Sequence, residues 1–324
     1  MKIAITGATG YIGSVLTPLL LEAGHELRLL ARRQQFSREG ITFVYGTLLD
    51  EAAIGQLVSG ADAVIHLAAM ISVSDRPDGT MFHVNTTGTR ILAAAAKAAG
   101  VKRFLHLSSV TAYNQYPYDT PLDEYRGPSD ALQYGYDHSK AVSQAIALEY
   151  NGNGMEVLAL APTAVIGPYD RQPSLIGKAV INIYRGRIPA LFPGGVDFVD
   201  VRDVTDAIIQ ALTKGKGGEA YLLSGCWLSL TELSEQIGKA KGKKISLPVL
   251  PLWFITGILP LVRGWSLITG GPPYYTRQSI YNLIRSNKKI CNSKARNDLR
   301  FNPRPISVTI EDTIDWFRQT GKIK

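Results

Sequence analysis

Seven residues near the start of the chain, Gly7-Ala8-Thr9-Gly10-Tyr11-Ile12-Gly13, constrain the fold more than any other segment. They follow the apolar run Lys2–Thr6, which reads as a buried strand, and they open the stretch Tyr11–Ala23, which reads as a helix. Glycines at the three positions allow a tight turn, a close approach of backbone to a pyrophosphate, and close packing of helix on strand. The helix N-terminus then offers free N–H groups and the positive end of its dipole to an anion. A glycine pattern alone says little; its placement between strand and helix makes it a dinucleotide-binding signature. Gly7, Thr9, Gly10, Tyr11, Ile12 and Gly13 are therefore candidate cofactor contacts.

The first half of the chain repeats the strand–helix alternation that a parallel sheet requires. Strands are expected at Lys2–Thr6, Glu26–Leu30, Thr42–Tyr45, Ala63–Leu67, Arg103–Ser108 and Glu156–Ala161. Helices are expected at Tyr11–Ala23, Glu51–Leu57, Phe82–Ala99 and Ala131–Tyr150, with Gly24 and Gly100 placed as left-handed C-terminal residues. Beyond about Leu160 the connections become rich in Pro and Gly, and two strand–helix pieces follow, Phe198–Leu212 and Ala220–Lys241. With 45% apolar and 19% charged residues, the 324-residue chain can build a packed core, which excludes disorder for most of it. The expected architecture is α/β: a doubly wound parallel (Rossmann) sheet over residues 1–165 and a smaller substrate-binding lobe over 166–324, from which segments around 198–224 return to the sheet.

A net charge of +8 raises the question of nucleic acid or an anionic membrane, and its location bears on the answer. Between Arg277 and Lys324, eleven Lys and Arg face four acids, with no interleaved aromatic platform for a nucleic acid. Ile245–Val262 carries no charge, but it is barely long enough to span a bilayer. Pro248, Pro251, Gly257 and Pro260 would also leave backbone groups unsatisfied in lipid, so it reads as an apolar pocket wall including Trp253 and Phe254. With no leader-like segment before Lys2 and only Cys226 and Cys291, a reducing, cytoplasmic setting is expected. The five histidines lack metal-ligand spacing, so no metal is expected.

The second strand ends Leu29-Leu30-Ala31-Arg32-Arg33, with no acid to take a ribose 2′-hydroxyl. Arginines there suit a 2′-phosphate, which favours NADP(H) over NAD(H); the other reading is a pair of solvated loop charges. Further on, Tyr136-Asp137-His138-Ser139-Lys140 sets a phenol and an ammonium four residues apart at the start of a helix, on one face. A cation favours the phenolate and brings a group of pKa near 10 towards a useful range for proton transfer. Taken alone, the pair reads more readily as a helical tyrosine beside a solvated lysine. Arg103–Ser108 reads as a buried strand whose carboxyl end carries Ser108-Ser109, where open α/β sheets bind ligands, and a hydroxyl there can hold a carbonyl oxygen or simply cap a turn.

Gly7–Gly13, Ser109, Tyr136 and Lys140, in this order, resemble the extended short-chain dehydrogenases/reductases of the NAD-dependent epimerase/dehydratase superfamily. Accessory runs extend the resemblance: His66–Ala69, Asn85–Thr89, Pro162–Pro168, Val199–Val204, and Ala295–Leu299 with Pro303–Pro305. With Trp316-Phe317 they make the chain most similar to bacterial dihydroflavonol 4-reductase-like proteins. The resemblance implies that Tyr136 is the general acid/base, that Lys140 lowers its pKa and holds the nicotinamide ribose, and that Ser109 binds the substrate oxygen. It also implies cofactor contacts at Thr47, Leu48, Leu67, Ala68, Ala69, Pro162, Thr163 and Val165, and a homodimer through the helices Phe82–Ala99 and Ala131–Tyr150. Asn85 matches a family position and is equally a helix-packing residue.

Two departures stand out. Gly46-Thr47-Leu48-Leu49-Asp50 lacks the acid usual near the adenine, and Val110-Thr111 stands where sugar-nucleotide dehydratases carry an acidic pair, which argues against dehydration. The expected function is NADP(H)-dependent hydride transfer to or from the carbonyl or alcohol carbon of a small aromatic or alicyclic substrate. The alternatives are an NAD-dependent sugar-nucleotide epimerase and a non-catalytic NADP(H)-binding sensor.

Overall fold

The computed structural model describes residues 1–35, 39–71, 79–129, 135–253 and 277–324. Strand β1 (Lys2–Thr6) pairs in parallel with β2 (Glu26–Ala31) on one side and β4 (Ala63–His66) on the other. β3 (Ile41–Tyr45) continues beyond β2, while β5 (Arg103–Leu107), β6 (Glu156–Pro162) and β9 (Ala220–Leu223) continue beyond β4. The order is β3-β2-β1-β4-β5-β6-β9 with every pair parallel, which is the Rossmann arrangement with a seventh strand at one edge. Strand order reverses between β1 and β4, and a crevice opens beyond the carboxyl ends of strands at such a point.

The alternation of side chains along each strand sorts the core into two layers. Ile3, Ile5, Ile65, Leu105 and Leu158 face α1 (Tyr11–Glu22), α6 (Val201–Ala211) and α9 (Ser293–Leu299). Ala4, Val64, Phe104 and Val157 face α2 (Glu51–Val58), α3 (Thr80–Ala98) and α4 (Gly135–Glu149). Every residue of β4 and β5 is buried, as required of central parallel strands covered on both faces. Ala93 and Ala96 of the alanine-rich run are fully buried, so α3 lies close to the sheet. Gly24 and Gly100 take positive φ and close α1 and α3, with His25 and Val101 donating back to the carbonyls of Leu20 and Ala96.

The stretch 198–224 divides between two sheets. α6 and β9 join the parallel sheet, but β8 (Gly195–Asp200) pairs with β7 (Ala164–Ile166) and, antiparallel, with β10 (Cys226–Ser229). α5 (Leu175–Tyr184), α7 (Leu230–Lys241) and α10 (Ile306–Gln319) cover this second sheet around Val180, Phe198, Ile237, Ile314 and Phe317. α8 (Arg277–Ile284) places Ile280 against Phe192. Of the apolar run Ile245–Val262, residues 254–262, including Phe254, lie outside the described residues; no described helix is long and apolar enough to cross a membrane.

Some cations of the basic C-terminal stretch pair with acids of this chain: Arg304 reaches Asp203 at 2.8 Å, Arg318 meets Asp315 at 2.8 Å, and Lys294 pairs with Glu219, while the stretch's Asp298 takes the upstream Lys216 at 2.9 Å. Arg103, buried at the start of β5, likewise ties the layers together. Its Nη2 donates to the Ala211 carbonyl at 2.7 Å, and its guanidinium also reaches the Gly215 carbonyl and the Glu156 carboxylate. Arg103→Met keeps the volume but removes these donors from buried acceptors. It is expected to destabilise the fold by about 1–3 kcal/mol, read from urea unfolding followed by tryptophan fluorescence.

Candidate active site at the carboxyl edge of the sheet

The glycine turn is shaped by what surrounds it. Gly7 has φ +77°, and a Cβ there would stand 2.6 Å from the Ala68 nitrogen, so the end of β4 passes directly over it. A Cβ on Gly13 would stand 2.6 Å from the Ala8 Cα, so the helix sits tightly on its own turn. Gly10 differs: its Cβ would meet only the Gly7 carbonyl, at 3.2 Å, and it starts α1 with no side-chain cap. The first-turn N–H groups of α1 therefore remain available to an anion. Thr9 is exposed, Ile12 packs on the first core layer, and the Tyr11 hydroxyl donates to the Gly167 carbonyl at 2.7 Å. Tyr11 thus ties the turn to the second sheet's connections, leaving its backbone N–H for a ligand.

The other expected cofactor contacts lie along the same edge. Arg32 and Arg33, just past β2, are exposed, and neither has an ion-pair partner among the described residues. Past β3, Thr47 is exposed while Leu48 is buried against α3, where a Cβ on Gly88 would come within 2.7 Å of it. Asp50, the acid of that run, caps α2 by accepting from the Ala53 N–H at 3.0 Å, which is why it does not reach the edge. Leu67, Ala68 and Ala69 are half-buried past β4, and Pro162 ends β6. Thr163 is held by the Leu223 carbonyl, and Val165 packs on the first core layer.

A buried hydrogen-bond chain sets this edge. The Ala68 N–H donates to Thr6 Oγ1, which lies 2.7 Å from His66 Nδ1; His66 Nε2 lies 3.0 Å from Thr89 Oγ1, which donates to the Asn85 carbonyl. Donors and acceptors match throughout when His66 is neutral with its proton on Nε2. Burial, with Lys140 nearby, lowers the His66 pKa to about 3, in agreement. Asn85 completes the frame: its side chain exchanges hydrogen bonds with the Met70 backbone and donates to Ser139 at 3.1 Å. Asn85 therefore joins the segment after β4 to α4.

A hydrogen bond brings α4 to the end of β5: Lys140 Nζ donates to the Leu107 carbonyl at 2.7 Å. Ser109 lies two residues past Leu107, so it stands at the strand end against which α4, the helix of Tyr136 and Lys140, is held. Ser109 Oγ accepts from the Thr111 N–H at 3.2 Å and caps the short 3-10 turn Val110–Ala112.

The charges differ from the sequence expectation. Lys140 is engaged with Leu107, and the Tyr136 hydroxyl is pushed up, not down, by burial and then by the Asp137 carboxylate. Its phenol stays protonated, as a proton donor must be. Lys140, buried beside the neutral rings of His66 and His106, is lowered to about 8.

Ser108 Oγ and Asp137 Oδ1 are buried there without a hydrogen-bond partner. With the uncapped helix and the unpaired arginines, they make an edge whose donor set fits a nicotinamide dinucleotide and a polar substrate group. His25, His83 and His138 have local roles, and no group of three or more metal-ligating side chains occurs among the described residues. Asp137 and Thr111 carried no assigned role in the sequence. The available signal was an acid inside Tyr136–Lys140, three residues before Lys140 and so on its helix face.

The model of the NAD dependent epimerase/dehydratase family matches residues 3–224. "Sterol demethylase protein B" of Methylococcus capsulatus is 31% identical, with the alignment covering 100% of both chains. "Putative dihydroflavonol 4-reductase" of Synechocystis is 27% identical over 99% of this chain and 95% of that protein. The crystal structure of gox2253 superposes with a TM-score of 0.82 at 29% identity, covering 100% of this chain and 99% of that one. By sequence over its first two-thirds and by fold over its whole length, the chain belongs to the NAD dependent epimerase/dehydratase family.

Proposed function

We propose that the protein is an NADP(H)-dependent reductase acting on a carbonyl carbon of an apolar, alicyclic or aromatic substrate. The observation that supports this reading is the hydrogen bond from Lys140 to the Leu107 carbonyl, which holds the helix carrying Tyr136 and Lys140 at the end of β5, two residues before Ser109. A nicotinamide dinucleotide bound at that edge supplies the hydride. Tyr136, held protonated, gives its hydroxyl proton to the substrate oxygen as negative charge develops there, and Ser109 donates a hydrogen bond to the same oxygen. Lys140 stabilises the phenolate that this leaves behind. The first turn of α1 would hold the pyrophosphate, and Arg32 with Arg33 would hold the 2′-phosphate.

Held protonated by burial and by the Asp137 carboxylate, the Tyr136 phenol is in the form that ketone reduction requires, with a proton to give. An apolar alicyclic substrate agrees with the uncharged run Ile245–Val262 and with the sterol named for the Methylococcus relative. A sugar-nucleotide epimerase could use the same residues, but it would hold NAD tightly, and the unpaired Arg32 and Arg33 favour a 2′-phosphate.

Fluorescence titration is expected to show tighter binding of NADPH than NADH. Arg32→Ala with Arg33→Ala should weaken NADPH about 10- to 100-fold while leaving NADH unchanged. NADH preference in the unaltered protein, or co-purified NAD with turnover of UDP-sugars, contradicts the reading. Tyr136→Phe should lower kcat for ketone reduction by about 10²- to 10⁴-fold with NADPH binding retained, and undiminished turnover would remove Tyr136 from the mechanism.

A further inference from the structure

We propose that the outer face of residues 243–253 is a docking surface for an anionic lipid bilayer, on which the protein rests without crossing it. The first ground is charge. Residues 236–297 carry eleven Lys and Arg and not one Asp or Glu. A cationic stretch without acids is attracted to acidic headgroups. Within it, Ile245–Val262 carries no charge at all and adds apolar and aromatic side chains.

The fold turns part of this stretch outward. α7 closes at Gly242, with φ +72°, and the Lys243 N–H returns to the Gly238 carbonyl at 3.0 Å, so the chain leaves the helix with Lys243 and Lys244 exposed. Ile245 and Leu247 then pack on the core of the second sheet. Next, the Leu191 N–H donates to the Pro248 carbonyl at 2.8 Å, and the Leu250 N–H donates to the Leu191 carbonyl at 2.8 Å. Leu250 and Leu252 pack beside Phe192 and Ile280. With these side chains turned in, their neighbours are turned out: Val249 is 47% and Trp253 74% exposed, and Pro248 and Pro251 are exposed beside them. Trp253, expected from the sequence in a pocket wall, therefore stands on the outside.

Backbone pairing and inward leucines hold this strip in place, so docking costs it little ordering. Lys243, Lys244 and the exposed Lys239 from the last turn of α7 have no ion-pair partner among the described residues. Lys241, by contrast, is engaged with the Tyr184 carbonyl. On a bilayer the free ammonium groups meet phosphates, the Trp253 indole sits at headgroup level, and Val249 enters the acyl boundary. A nucleic acid would satisfy the lysines through its phosphates but offers nothing to Val249 and the two prolines, so the strip fits a lipid surface better. No described helix is long and apolar enough to cross a membrane, so the contact is peripheral.

The test is sedimentation of the full chain, without substrate, with vesicles of phosphatidylcholine alone or mixed with phosphatidylglycerol, at low and high salt. Wild type should sediment with the mixed vesicles at low salt and stay in solution with phosphatidylcholine alone or at high salt. Lys243→Glu with Lys244→Glu should weaken that binding at least about tenfold. Trp253→Ser should weaken it severalfold and reduce the quenching of tryptophan fluorescence by brominated acyl chains. All three side chains are exposed, so each variant should keep the wild-type unfolding midpoint.

A wild type that stays in solution with the mixed vesicles, equal binding to both vesicle types, or binding untouched by the lysine reversals overturns the proposal. So does undiminished quenching in Trp253→Ser, and so does retention of RNA but not of vesicles, which would assign the lysines to a nucleic acid. Vesicle binding by a protein that reduces no ketone upholds the proposal and overturns only the reductase reading.

Discussion

The hydrogen bond from Lys140 to the carbonyl of Leu107 is the contact on which the site depends. It is short, buried and made by a charged donor, and it joins the last residue of a central strand to the first turns of α4. An ammonium that pairs with no carboxylate among the described residues is costly to bury, and the fall of the Lys140 pKa to about 8 reflects that cost. The rest of the sheet keeps the lysine in place. β5 is locked between β4 and β6, and α4 is held from behind by Asn85 through Ser139. Removing the ammonium would leave α4 and β5 packed but without the link that brings Tyr136 towards Ser109.

A second constraint is steric. β1, β4 and α1 meet so closely at the turn that neither Gly7 nor Gly13 has room for a methyl group. This crowding sets where the free N–H groups of α1 lie relative to the ends of β4 and β5. The Thr6–His66–Thr89 chain fixes the same region with polar contacts, each donor matched to an acceptor. Backbone and polar side chains together leave the crevice at the switch point little freedom, as a site that must hold two reactants in register requires.

Much of this was legible in the sequence, because the patterns that reveal an α/β sheet are local. Six strands and four helices of the first half stand within a few residues of their expected positions, and the expected cofactor and catalytic residues share one edge. Long-range choices were less visible. Nothing local in Gly195–Asp200 distinguishes a strand of the large sheet from one of the small sheet; its pairing with Ala164–Ile166 and Cys226–Ser229 decides that. Likewise Tyr136 and Lys140 look coupled from their spacing alone, but a carbonyl of β5 competes for the ammonium. Burial, and after it the carboxylate of Asp137 inside the same five residues, shifts the phenol the other way. The basic surplus also changes meaning, since Asp203 and Glu219, which pair with it, lie far upstream of Arg277.

The central claim is that hydride arrives at a carbonyl carbon while Tyr136 protonates the oxygen. Its most direct measurement is a single turnover with NADPH deuterated at C4 and an alicyclic ketone, followed by mass spectrometry of the product alcohol. One deuterium at the carbinol carbon, formed quickly by the wild type and only slowly by Tyr136→Phe, is the predicted result. An alcohol formed without deuterium from either C4 position, or equally fast transfer by the phenylalanine variant, would contradict the account.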